Sequence, residues 1–72
     1  MTAAEAVAAA AAEGLTLVLA DNATGFKDVF RNPLARRPFK AYPTVKGRSE
    51  HLGYFATAEE AALVIARFFG PQ

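Results

Sequence analysis

Three strand-like runs, residues 26–31, 39–45 and 50–55, follow one another across connections far too short for a crossover. Parallel strands need a connection of a dozen or more residues, so these runs must pair as antiparallel neighbours. Asn32-Pro33 closes the first run, and Lys46-Gly47-Arg48 supplies the turn between the second and third. Pro43 falls inside the second run and predicts an edge position or a bulge there, because proline cannot donate to a ladder.

Helical signals stand on either side of the strands. Thr57 with Glu60 forms a capping-box pattern, Ala61, Ala62, Ile65, Phe68 and Phe69 recur at helical spacing, and Gly70-Pro71 is a stop signal. Ala61 and Ala62 would let the helix lie close on the sheet, with Ile65 and Phe68 supplying bulk. Residues 2–13 hold eight alanines and a second Thr-x-x-Glu box, Thr2 and Glu5, before Gly14. Propensity makes that stretch helical, but alanine offers little area to bury, so the helix must dock on something larger. Leu15, Leu17 and Leu19 alternate in an extended segment packed along one side, and residues 21–25 form a turn. The predicted fold is α+β: a three-stranded antiparallel sheet packed on one C-terminal helix, preceded by an extra Ala-rich helix. Its divisions are the helix at 1–14, an extended linker and turn at 15–25, and the sheet-plus-helix domain at 26–70.

Composition narrows the chemistry. With 72 residues and no cysteine, the chain has neither disulfides nor cysteinyl zinc to support a small core, so packing or a partner must do so. The single His51 makes no metal site alone, and Ser49, Glu50 and His51 alternate across a strand and cannot converge as a triad. Gly25, Gly47 and Gly53 are too scattered for a phosphate loop. We therefore expect no enzyme activity, no metal and no cofactor. The longest apolar stretch, residues 6–12, falls far short of the roughly 20 residues of a membrane span, and the first dozen residues have no Lys or Arg. Neither a membrane association nor secretion is expected, so the acceptor pattern Asn22-Ala23-Thr24 reads as turn chemistry.

The net charge of +1 hides its own distribution. Residues 27–48 hold Lys27, Arg31, Arg36, Arg37, Lys40, Lys46 and Arg48 against Asp28, a net of +6, between flanks of −3 and −2. A basic window of this kind is the electrostatic footprint of a polyanion partner.

The segments 25–33, Phe39-Lys40-Ala41 and 51–62 together resemble the Apetala-two/ethylene-response-factor (ERF) DNA-binding domain. The most specific part is His51-Leu52-Gly53-Tyr54-Phe55 followed by Thr57-Ala58-Glu59-Glu60-Ala61-Ala62, and the likeness covers about residues 25–69. The resemblance implies the same sheet-and-helix fold, with the open sheet face in the major groove of double-stranded DNA. It also implies transcription regulation and a nuclear location. On this alignment Lys27 matches a DNA-contacting Arg of the first strand, Tyr42 and Thr44 the outward positions of the second, and Ser49 and His51 those of the third. The sequence departs from the family at Asp28, where a Gly is usual, at Phe30 and Asn32, where Arg is usual, and at Pro43, where an inward Ile is usual. The expected nucleic-acid-binding residues are Lys27, Arg31, Arg36, Arg37, Lys40, Tyr42, Lys46, Arg48 and His51. The alternative is a structural or protein-interaction subunit of a larger assembly that keeps the fold without DNA binding. The Ala-rich helix would then contact a protein partner.

Overall fold

The computed structural model describes residues 1–70 and arranges them as α1 (Ala3–Ala12), β1 (Val29–Arg31), β2 (Phe39–Ala41), β3 (Thr44–Val45), β4 (Arg48–Ser49), β5 (Gly53–Phe55) and α2 (Ala58–Phe69). Strands β1, β2 and β5 form one antiparallel sheet in that order, and α2 packs across it, giving the expected α+β fold. Three rows cross the sheet: Val29, Ala41 and Gly53; Phe30, Lys40 and Tyr54; Arg31, Phe39 and Phe55. Alternation sends the first and third rows toward α2 and the middle row to the opposite face.

The second run does not continue as one edge strand. Pro43 follows the central strand β2 rather than lying on an edge, and it is fully buried. Its missing N–H ends the ladder, while its carbonyl accepts the Glu50 N–H at 2.9 Å. Beyond it, β3 and β4 extend the same hairpin as a short ribbon, with Thr44 opposite Ser49 and Val45 opposite Arg48. Lys46 and Gly47 have φ of 52° and 78°, the double left-handed pattern of a type I′ turn, whose twist matches the flanking strands. Residues 50–52 on the returning strand face only Tyr42 and Pro43 on the outgoing one, so the hairpin carries one extra residue, a bulge.

α1 begins with the complete Thr2/Glu5 capping box. It ends where the Leu15 N–H reaches the Ala10 carbonyl at 2.8 Å and the Gly14 N–H reaches Ala11, with Gly14 at φ 69°. This pair of bonds is a Schellman closure, which needs a left-handed residue at Gly14 and turns Leu15 back toward the helix. Small residues on α1 settle against α2: Ala6 and Ala10 are buried around Leu63, which has no exposed surface. Burying a Leu side chain contributes roughly 1.5–3 kcal/mol, more than the alanines of α1 offer one by one. The stripe of Ala6 and Ala10 on the Ala-rich helix is thus covered within the chain itself, while Val7 stays half exposed.

The main core lies between sheet and α2 and consists of Val29, Ala41, Ala58, Ala61, Ala62 and Ile65. Leu17 packs against both this cluster and the one around Leu63, so the extended segment joins the layers. Leu19, expected on the same side, is instead 75% exposed. Its strand-like pairing is limited to a bridge with Phe26, and the Asn22 side chain organises the turn between them. Asn22 Oδ1 accepts from the backbone of Thr24 and Gly25, and Nδ2 donates to the Phe26 carbonyl at 2.9 Å.

α2 is capped by the Thr57 hydroxyl, which accepts the Glu60 N–H at 3.1 Å, and it closes at Gly70, whose N–H bonds the Ala66 carbonyl. Pro71, the other half of the expected stop signal, lies outside the described residues. Phe68 and Phe69 do not add bulk to the core as their spacing predicts: both are exposed, because the sheet extends only as far as Ile65 along the helix. Arg67 closes the far end of the helix pair with a bidentate contact to Glu13, Nε to Oε1 at 2.9 Å. No described helix is long and apolar enough to cross a membrane.

Candidate nucleic-acid interface

With α2 on one face of the sheet and α1 behind α2, none of the described elements covers the other face. Phe30, on β1, is 53% exposed and Tyr54, on β5, is 41% exposed. Both flank Lys40, their cross-strand neighbour on β2. Tyr42 and His51 extend this surface toward the ribbon. The rings run in sequence from Phe30 to Tyr42 (6.4 Å between centroids), to His51 (6.3 Å) and to Tyr54 (5.1 Å), each pair meeting edge to face. Lys40 Nζ stands 4.1 Å above the Tyr42 ring, a cation–π contact that holds a positive charge among the aromatics.

The placement of His51 and Tyr54 on one face follows from the bulge. Strict alternation from His51 would send Gly53 and Phe55 outward and Tyr54 inward. The extra residue at 50–52 shifts the phase by one, so Phe55 packs on the core and Tyr54 joins His51. Sequence reasoning carries His51 to the open face and leaves Tyr54 out of the site for this reason. The signal that identifies Tyr54 is its neighbour Phe55, whose inward position leaves Tyr54 outward.

The basic residues divide between this surface and elsewhere. Arg36 and Arg37 are exposed in the loop that leads into β2, and Lys46 and Arg48 are exposed on the ribbon that leaves it. They therefore bracket the aromatic row at opposite ends of the central strand. Thr44 and Ser49 pair through their hydroxyls across the ribbon at 3.1 Å.

Two expected residues do not join the row. Lys27 lines a groove of about 500 Å³ with Val18, Ile65 and Phe69, on the helix side of the sheet. The strand begins only at Val29, because Asp28 adopts a left-handed φ of 63° and its carbonyl accepts the Tyr42 N–H. Arg31 shares a row with Phe39 and Phe55, which pack against the core, so it leaves the sheet edge toward α2.

No family model matches the sequence, and neither curated proteins nor solved structures give a match. Among the described residues, no group of three or more His, Cys, Asp or Glu side chains could hold a metal ion.

Proposed function

We propose that this chain is a DNA-binding module of the Apetala-two/ERF type, acting within a transcription regulator in the nucleus and contacting its ligand through the open sheet face. The observation that carries this reading is the outward row of Phe30, Lys40 and Tyr54, bracketed by Arg36 and Arg37 at one end and Lys46 and Arg48 at the other. Large apolar rings on an uncovered sheet face do nothing for the core. Beside basic side chains, they suit phosphate neutralisation combined with contact to bases. The strand order and the helix behind it agree with the family's arrangement. The left-handed Asp28 supports the likeness further, since the family usually has Gly at this position and Gly adopts that conformation freely.

Phosphate contacts predict a steep salt dependence. Titration with a short duplex at 50 and 200 mM salt should give a log–log slope near −0.9 per phosphate contacted. Replacing Arg36, Arg37 and Lys40 by Ala should flatten that slope by about 0.9 for each phosphate no longer neutralised. Absence of binding to any DNA at the lower salt would sink the reading and favour an assembly role, for which the exposed Phe68 and Phe69 would be the surface to test.

A further inference from the structure

Resting on the part of that reading that gives nucleic acid to the open face, and departing from its duplex ligand, we infer that the open face takes single-stranded nucleic acid, with one base stacked on Phe30, another on Tyr54, and the backbone between them held at Lys40. In a duplex the faces of the bases are already stacked on one another, and only their edges are open in the grooves. Reading edges takes donors such as Arg, Lys, Asn or Gln aimed at the base edges. In the Phe30, Lys40 and Tyr54 row only Lys40 is of this kind and it lies between two rings; Arg31, the one arginine on β1, leaves from the other side of the sheet, and Arg36, Arg37 and Arg48 stand in the flanking loop and ribbon rather than on the sheet. What the row does offer is ring faces, and a ring face gains a partner only from a base that is unstacked.

The geometry suits two such bases. Phe30 and Tyr54 sit on the outer strands with β2 between them, so their backbones are about 10 Å apart, twice the interstrand spacing. Lys40 occupies the middle of the row, where a phosphate linking two splayed nucleosides would pass. No ring of this row is stacked face to face with another: the contacts to Tyr42 and His51 are edge-type, at interplanar angles of 77° and 61°. They brace Phe30 and Tyr54 while leaving ring surface exposed. The basic groups at both ends of β2 then flank the path of a strand crossing the sheet.

The experiment compares fluorescein-labelled dT12 and U12 with a 12-base-pair duplex, titrated with the full chain at 50 mM salt. At least one single strand should bind more tightly than the duplex, and the tighter of the two assigns the sugar. Phe30→Ala and Tyr54→Ala should each weaken that complex by about 5- to 150-fold and leave duplex affinity within about twofold. Phe30→Tyr should restore single-strand binding and Phe30→Leu should not, which separates ring stacking from simple apolar contact. Lys40→Gln should flatten the single-strand salt slope by about 0.7. A duplex bound as tightly as the tighter of the two strands, or single-strand affinity indifferent to both ring deletions, would overturn the inference and leave the DNA-binding reading standing. Failure to bind any of the three probes would instead remove that reading itself.

Discussion

The two faces of the sheet differ in what stands at their centres. Toward α2 they present Val29 and Ala41, met from the helix by Ala58, Ala61, Ala62 and Ile65. Toward solvent they present Phe30, Tyr42 and Tyr54, the bulkier residues. Burial of apolar area drives folding, so a small domain would be expected to put its largest rings inside. Here the middle of the seam is small while rings stand on both faces, Phe39 and Phe55 inward and Phe30, Tyr42 and Tyr54 outward, and this arrangement separates two tasks. The inner face sets the approach of helix to sheet, and the outer face is left for a ligand. Among the residues described, Phe39 and Phe55 are the strand aromatics that do pack inward, and both lie in the row at one end of the sheet.

The contrast can be broken most severely from inside. Ala61→Leu would force a larger side chain into a seam where Ala61 has no exposed surface, and overpacking of this kind costs about 1–3 kcal/mol. Urea unfolding should show the destabilisation as a lower midpoint, and a midpoint equal to that of the parent chain would mean that the helix is not seated closely. The outer face should respond far less. Phe30→Ser and Tyr54→Ser each give up cross-strand pairings worth about 0.2–1 kcal/mol, so unfolding midpoints should barely shift while ligand affinity falls. If either variant were as damaging as Ala61→Leu, the rings would belong to the folding core.

The smallest effect lies at the edge of the helix layer and depends on pH. Hydrogen bonding from Arg67 holds the Glu13 carboxyl below the usual carboxylate range, and the same contact raises Arg67. A carboxylate whose pKa is lowered by folding contributes stability above its unfolded value, and that contribution disappears as pH falls through the folded value. Both partners are exposed, so the decline on the acid side should be slight and weaker at high salt. Glu13→Gln should flatten stability between about pH 5 and 3 relative to the parent chain, a difference measurable by thermal melts across that range.

Much of the fold could be read from local chemistry. The Thr57 cap, the periodic alanines and the turn at Lys46 and Gly47 each act over a few residues and appear where the sequence places them, although Arg48, read as part of that turn, already opens β4. Position in space was harder. Leu63 lies outside the periodic set that marks the sheet-facing stripe, yet it is the bulkiest side chain with no exposure, because α1 docks on a second face of α2. Phe68 satisfies the helical period but projects past the end of the sheet.

The site followed the same division. Lys40, Tyr42 and His51 reach the open face as the strand pattern suggests. Lys27 does not, because a single left-handed residue at Asp28 intervenes, and Tyr54 is hidden from the pattern by a one-residue bulge. Both events are small changes in backbone phase, which composition and charge do not reveal. The +6 window marks a basic stretch, but two of its seven cations leave from the helix side of the sheet.

The alanine seam has a further consequence for motion. Alanine has no side-chain rotamers to lose, so Ala41, Ala58, Ala61 and Ala62 are buried with no side-chain entropy cost. Nor can they re-pack by changing rotamer, so where they meet there is no side-chain adjustment to make, and Val29 and Ile65 fill the rest of the seam. A sheet backed in this way is a stiff support, and the rings on its far side keep their spacing before any ligand arrives. A binding partner then has fewer protein degrees of freedom to freeze on association.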